Sequence, residues 1–474
     1  MDSELKSLQK RPFIQKGSYN KEVVEQEDRI SDLPDHVIAQ ILSFLETEEA
    51  VKTSVLSSRW RYLWKGITCI SLRGANADPD KFSNLVEHVL QNCSSTNFQA
   101  FDLACPSAID LSRLNAWIGC VLNHKLEKLQ LWINKYFYEL PERPLAQFIL
   151  SCNTLVTLKL KSCFDIHIPE SVVCFPFLKL LDIDVIFPDH IDVVNQLLSC
   201  CPVLEELDLL GYLDSPKVLK IDVSSSTLRK LNLGLKYEGG SCGNEFTITL
   251  NTPNLERLSI EDDSLSRYVL KNLVRVYTVE VNYCAFSLTI LGPEHINRLL
   301  ELLKGVAAAE NLILKWNTLG ALGSTLRYTW PTFPNLKTLI MHLSPFSGWT
   351  CFSKVLHSAP CLEVLILDLE DINDEIYQWS PPDIVPNCLL EHLKEIGILC
   401  FEGNEDELQV VEYLLNNAQV LEFMWIGFGL NDMNVEVLQK LLAFTRASKT
   451  CDVQINKRLT YEVDSLDRIS IWGV

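Results

Sequence analysis

Nine histidines and sixteen cysteines give this chain of 474 residues the raw material for metal binding or nucleophilic chemistry, and their spacing argues against both. There is no His-Glu-x-x-His, no histidine pair at ligand spacing on one helix, no Cys-x-x-Cys pair and no recurrent zinc spacing. The cysteines fall inside apolar runs, as in Leu150-Ser151-Cys152 and Ser199-Cys200-Cys201-Pro202, and read as small core residues of a reducing compartment. Gly239-Gly240-Ser241-Cys242-Gly243 lacks the lysine and the strand-to-helix setting of a phosphate loop, so it reads as a flexible loop, and no Gly-x-Ser-x-Gly elbow occurs. The pair Asp262-Asp263 is what an acidic composition produces and would form an acid/base couple only by accident. The expectation is a non-catalytic protein with no metal and no cofactor.

Such a chain acts by binding, and its charge narrows the partners. Forty-two basic against sixty-one acidic residues give a net charge of −19, which opposes contact with phosphate backbones and points away from nucleic acid and toward proteins. Residues 363–412 carry fourteen carboxylates against one lysine, a solvated acidic face. No run approaches the roughly 18 apolar residues of a membrane span, and residues 1–27 read as a polar, flexible leader without a secretory core. Cytosol, nucleus or both is the expected location.

Two kinds of element must do the positioning. From about Asp28, Ser31 or Asp32 can cap a helix with Pro34 in its first turn, and Val37, Ile38, Ile41, Leu42, Phe44 and Leu45 then recur at helical spacing. A second helix is predicted over 48–56, with Val51, Val55 and Leu56 on one face. A third begins near Ser57 or Ser58 and groups Trp60, Leu63 and Trp64, with Arg59 and Arg61 turned away. Three short helices cannot bury all these groups among themselves, so the surplus either docks a partner or packs on the domain that follows.

Beyond residue 80 the phrase Leu-x-x-Leu-x-Leu, or a conservative variant, recurs thirteen times, from Phe98/Phe101/Leu103 through Leu207/Leu209 to Leu421/Met424/Ile426. The mean spacing is about 27 residues, within the 20–29 of leucine-rich repeats. Between phrases lie segments at helical spacing, such as Leu114/Trp117/Ile118/Val121 and Ile296/Leu299/Leu300/Leu303. One strand and one helix per unit predict a curved solenoid, distorted near the 33-residue step from Val276 to Ala309, with insertions near Gly239-Gly240 and over 319–332. Alternation sends the residues beside the last leucine outward: Gln130 and Trp132, Lys159 and Lys161, Asp182 and Asp184, Asp208 and Leu210, and onward to Glu280 and Asn282. Of these, Trp132, Lys159, Lys161, Asp182, Asp184 and Asp208 are the candidate target-binding residues, because charge arrays fix register and an exposed Trp is a common hot spot. Ordinary solvated strand residues would give the same pattern.

The run Asp28-Arg29-Ile30-Ser31-Asp32-Leu33-Pro34-Asp35, with Ile41-Leu42-Ser43-Phe44-Leu45, Ala50-Val51-Lys52-Thr53-Ser54-Val55-Leu56 and Arg59-Trp60-Arg61-Tyr62-Leu63-Trp64, closely resembles the F-box of the plant F-box/leucine-rich-repeat family. It departs from that pattern at Glu48 and Ser58, where lysine is common. The resemblance implies docking on a Skp-type adaptor, and through it a cullin and a RING subunit. Leu33, Pro34, Ile38, Ile41, Leu42 and Leu45 would meet the adaptor, and Val51, Val55, Leu56 and Trp60 would complete or support the contact. Further on, Pro386-Asn387-Cys388-Leu389-Leu390-Glu391-His392-Leu393-Lys394, Phe401-Glu402-Gly403 and Tyr413-Leu414-Leu415-Asn416-Asn417-Ala418 look like the FBD region that ends many such proteins. The expected architecture is α/β: leader 1–27, a three-helix F-box at 28–68, a leucine-rich-repeat solenoid at 80–385, an FBD-type cap at 386–455 and a tail at 456–474. The resemblance implies a substrate-recognition subunit of a ubiquitin ligase, itself without catalysis. A small-molecule-dependent co-receptor and a non-degradative scaffold are the other readings.

Overall fold

The computed structural model describes residues 30–473 apart from 31, 94–97, 107, 134–148, 150–151, 165–174, 187–192, 214–219, 238–245, 264–265, 284–291, 324–327, 344–347, 370–378, 430–434, 457–458 and 464–468. The leader at 1–27 and the glycine-rich loop at 239–243 lie outside the described residues. The strands are β1 (Cys69–Arg73), β2 (Ala100–Cys105), β3 (Lys128–Ile133), β4 (Thr157–Phe164), β5 (Leu180–Ile186), β6 (Glu206–Leu213), β7 (Lys220–Ser224), β8 (Lys230–Tyr237), β9 (Thr247–Asn251), β10 (Arg257–Asp262), β11 (Arg267–Lys271), β12 (Thr278–Tyr283), β13 (Asn311–Leu314), β14 (Thr338–Leu343), β15 (Val364–Leu369), β16 (Glu395–Phe401), β17 (Phe423–Phe428), β18 (Asp452–Asn456), β19 (Leu459–Val463) and β20 (Ile469–Gly473).

Fifteen of these strands make one sheet in chain order, leaving β11-β9-β7 as a second sheet and β19-β20 as an antiparallel hairpin. Neighbours in the large sheet are parallel, and the middle apolar residue of each phrase stands opposite that of the next, from Ile70 against Phe101 to Met424 against Val453. All three apolar positions of every phrase are buried. Alternation explains this: side chains two apart share a face, and a unit too short for a core of its own buries that face only against its neighbours. Each fully buried leucine contributes about 1.5–3 kcal/mol, which makes the ladder the main source of stability. The 33-residue step from Val276 to Ala309 accommodates the 13-residue helix Pro293–Gly305, and β12 still pairs with β13 in register.

Four expectations are corrected. The outer layer is helical near both ends of the array, as at Pro79–Asn92, Leu111–Leu122 and Glu405–Asn417, but its middle is the β7, β9, β11 sheet. Lys-Ile-Asp-Val-Ser and Thr-Ile-Thr-Leu-Asn alternate every second residue, so Ile221, Val223, Ile248 and Leu250 can reach the core from a strand and could not from a helix. Part of the insertion expected at 319–332 is the helix Trp316–Gly323, in which Leu319, Ala321 and Leu322 join the core. The stretch left between the expected F-box at 28–68 and the array expected from residue 80 contains β1, already the first strand of the sheet. Finally, Pro34 precedes the first helix, Asp35–Leu42, rather than lying in its first turn, and no side chain caps that helix.

Candidate functional site

The N-terminal module is built around Ile38, Leu42, Ala50, Trp64 and Ile67. The helix expected over 48–56 is Thr47–Lys52 followed by a 3-10 turn, Thr53–Val55, and the third element is a 3-10 segment, Trp60–Gly66. Residues three apart eclipse in such a turn, which suits Trp60 and Leu63 packing on one core. Arg59 does not turn away: its Nε lies 2.9 Å and its Nη2 2.7 Å from Asp35 Oδ1, and Nη2 also donates to the Leu33 carbonyl. The third segment is thereby tied to the start of the first helix.

This module covers the outer edge of β1. The Ser71 amide donates to Thr47 Oγ1 at 2.9 Å and the Thr68 amide to Ser43 Oγ at 3.0 Å, so two N–H groups at the sheet's first edge are satisfied by side chains of the module. Thr47 is fully buried, and Cys93, at the end of the helix Pro79–Asn92, packs against both the module's core and the main core. The mount is therefore rigid on both sides of β1.

With that core complete, a set of apolar side chains remains uncovered. Phe44 is 85% exposed and Val55 87%, and Ile30, Ile41, Leu45, Leu56 and Tyr62 are also exposed. Of the residues expected to meet an adaptor, Pro34, Ile41, Leu45, Val55 and Leu56 are exposed, and Leu33, Val51 and Trp60 are half-buried. Ile38 and Leu42 are a correction: both are inside the module and can only support a contact from within. Phe44 and Tyr62, outside the expected set, are exposed as well. The helix stops at Leu42, so Phe44 no longer follows the stripe to which its spacing assigned it.

The second candidate surface is the free face of the sheet, opposite the leucine core. Lys161 Nζ lies 2.5 Å from Asp182 Oδ1, 3.2 Å from Asp184 Oδ1 and 4.0 Å from Asp208 Oδ1. The Asp208 carboxylate also accepts from Asn232 Nδ2 at 3.3 Å. One ammonium thus serves three carboxylates, and the side chains of Asp182 and Asp184 are each only 13% exposed. Burial pushes both carboxyls above the usual aspartate range, with the Lys161 charge pulling them back. Burial also works against the charge of Lys161, but the hydrogen bond to Asp182 and the charges of Asp184, Asp182 and Asp208 outweigh it and hold the ammonium above the usual lysine range.

Trp132 is exposed and pairs in register with Lys161, and Lys159, Lys161, Asp182 and Asp208 line a groove of about 500 Å³, so the six candidate residues are neighbours. Glu206, Lys230 and Arg257 also line it and were missed. They stand two residues before the outward positions taken from the phrase, and the same alternation carried one step earlier finds them.

Elsewhere the residue types that opened the question of catalysis hold structure. Asp262 is buried and accepts from the Ser266 amide at 2.9 Å and the Tyr268 hydroxyl at 3.0 Å. Burial pushes the Cys351 and Cys388 thiols up to about 12, the opposite of activation, whereas Cys120 is exposed and Cys69, Cys152 and Cys361 only half-buried. Among the described residues no group of three or more His, Cys, Asp or Glu could hold a metal ion, and no helix is long and apolar enough to cross a membrane.

A small helical module locked onto the edge of a long parallel, leucine-cored sheet defines a repeat protein with an N-terminal docking module. Residues 30–69 match the F-box domain model, residues 114–299 the model described as FBD-associated F-box protein At5g56370, LRR repeats, and residues 381–426 the FBD model. The chain is 29% identical over 450 residues to the F-box/FBD/LRR-repeat protein At2g26030 of Arabidopsis thaliana, covering 90% of this chain and 99% of that one. It is 29% identical over 456 residues to the putative F-box/FBD/LRR-repeat protein At5g44950 and 27% identical over 461 residues to the FBD-associated F-box protein At5g27750, both of Arabidopsis thaliana and both spanning 90% of this chain and 99% of the relative. The chain belongs to the F-box/FBD/LRR-repeat family.

Proposed function

We propose that this protein is the substrate-recognition subunit of a Skp/cullin/F-box-type ubiquitin ligase, non-catalytic itself and acting in cytosol or nucleus. The observation that carries the reading is the uncovered apolar set Phe44, Val55 and Leu56 on a module whose own core is already filled. These residues dock the Skp-type adaptor, with Leu33, Pro34, Ile41 and Leu45 beside them. The free face around Trp132, Lys159, Lys161, Asp182, Asp184 and Asp208 holds a target protein. Catalysis is by proximity: a target on the repeats stands beside the conjugating enzyme carried by the same scaffold, at a high effective concentration. The side-chain bonds from Thr47 and Ser43 to β1 favour this, because a rigid mount preserves the distance between the two surfaces.

Co-purification of the full chain with a Skp-type adaptor tests the first half, with Leu33→Ala/Pro34→Ala expected to lose the adaptor while the repeats stay folded. Charge reversal at Asp182 and Asp184 tests the second. Target capture that is unchanged by it removes the groove from the account.

A further inference from the structure

At β16 to β18 the free face differs from the paired charges of β4 to β10. Phe423 and Trp425 stand two apart on β17 and share a face, and the buried Met424 and Ile426 that alternate with them show that it is the free one. Their rings are stacked, with 5.3 Å between centroids and 17° between planes. Packing on each other does not hide them: Phe423 is 36% exposed and Trp425 only half-buried.

The strands on either side supply carboxylates. Glu395 of β16 and Asp452 of β18 are each in register with Phe423, so they flank its ring on the same face. Burial holds the Glu395 carboxyl above the usual glutamate range, the charge of Glu422 pushes it the same way, and Lys394 pulls it back. Lys394 is engaged elsewhere, its Nζ 2.8 Å from Glu363 Oε2, and Asp452 accepts only a neutral donor, Gln454 Nε2 at 2.8 Å. Among the described residues no cation lies within ion-pair distance of Glu395, Glu422 or Asp452. In β4 to β10, by contrast, Lys161 serves three carboxylates and Lys230 stands 3.5 Å from Glu206. The surroundings are acidic too, since residues 363–412 carry fourteen carboxylates against one lysine. Carboxylates gathered without a counter-charge favour the arrival of a cation. A guanidinium suits this surface best: its plane can lie on an aromatic ring while the N–H groups at its edge donate to carboxylates beside that ring. An ammonium has neither the plane nor the fork.

We propose that the Phe423–Trp425 stack, flanked by Glu395, Glu422 and Asp452, is an arginine-binding subsite of the free face that takes the guanidinium of a basic, extended segment of the target. Four of these five residues lie within the stretch that matches the FBD model, which gives that region a part in recognition. β17 is six strands from β10, about 30 Å along the sheet at roughly 4.8 Å per strand. A target held both there and at the β4–β10 groove is gripped at two separate points, which fixes its direction along the array. That consequence rests on the free face being the target surface, whereas guanidinium binding itself does not. The experiment below uses neither adaptor nor target, so its failure leaves the ligase reading untouched.

The full chain is labelled with fluorotryptophan, and the Trp425 signal in fluorine NMR is identified by its loss in Trp425→Phe. Titration with the peptide acetyl-Gly-Arg-Gly-amide should move that signal saturably, and the citrulline counterpart, equally planar but uncharged, should leave it in place. Phe423→Leu should weaken the arginine response about two- to fivefold, the contribution of a cation over an exposed ring expressed as a ratio. Glu395→Gln, which keeps the size of the side chain, should weaken it as well. A signal unmoved by arginine, an equal response to citrulline, or a folded Phe423→Leu variant that binds like the unmodified chain overturns the proposal. If circular dichroism shows Phe423→Leu to be unfolded, Glu395→Gln decides, and unchanged arginine binding there overturns the proposal.

Discussion

Replacing Thr47 by valine keeps the shape of a fully buried side chain and removes one oxygen. That oxygen accepts the Ser71 amide at 2.9 Å, at the edge of β1 that no other described strand covers. The amide then loses its partner at the junction between the F-box and the sheet. Leaving a buried donor unsatisfied costs about 1–3 kcal/mol, while the unchanged volume leaves packing intact. The cost falls on opening of the junction, so hydrogen exchange at Ser71 in Thr47→Val should accelerate by roughly 5- to 150-fold, the same free energy expressed as a ratio. Amides in the middle of the array, such as those of β10, should exchange as before. Thr47→Ser keeps the acceptor and serves as the control. If the Ser71 amide exchanges at its original rate in Thr47→Val, the hydroxyl does not hold the junction and the rigid mount loses its main support.

Three further outcomes follow from the geometry. Lys161→Met leaves Asp182 and Asp184, each with only 13% of its side chain exposed, without their cation, which should cost about 1–3 kcal/mol in urea unfolding near neutral pH. Both carboxyls already sit above their ordinary range, so their contribution to stability is full below the unfolded pKa and is lost as pH rises through the folded one. The deficit of the variant should therefore shrink toward pH 4.5, and a deficit equal at both pH values would show that the three groups are not coupled. Gly403→Ala meets a φ of 83° and puts a Cβ 2.6 Å from Val437 Cγ1, so a loss of about 1–3 kcal/mol, seen as a lowered melting temperature, is expected. Arg59→Ala should loosen the module while sparing the array, read as faster exchange in the helix Asp35–Leu42 with β10 unchanged.

The array was legible because a leucine phrase repeated thirteen times couples composition to a single period, and every one of its apolar positions is buried. The outer layer was not, since five residues such as Lys220–Ser224 are too few to establish period two against a background of helical segments. In the F-box the apolar residues were found, but periodicity cannot separate those that fill the module, Ile38 and Leu42, from those that face outward, Phe44 and Val55. Of the three helices expected there, the second ends in a 3-10 turn and the third is a 3-10 segment, whose tighter winding takes the following side chains off the helical stripe. On the free face, alternation sends Lys159 and Asp182 outward, and the structure sets them opposite one another in register. The ion pair is made by Lys161, whose long side chain reaches diagonally across the strand boundary, a choice that depends on side-chain length and burial rather than on register. The second buried cluster, Ile313, Ile340, Ile366 and Leu399 on β13–β16, was overlooked because strands apolar on both faces show no alternation to read.

The central claim, that the uncovered apolar set on the F-box is the adaptor site, is tested most directly by the affinity of the purified chain for a Skp-type adaptor in two matched variants. Val55→Asp alters a residue 87% exposed on the F-box, and Val274→Asp alters one 81% exposed just before β12 in the repeats. Burying a valine contributes about 1.5–3 kcal/mol and burying an aspartate opposes binding, so the account predicts that Val55→Asp weakens the complex by roughly tenfold or more while Val274→Asp leaves it unchanged. Equal affinity for Val55→Asp and the unmodified chain, or an equal loss in both variants, would contradict it.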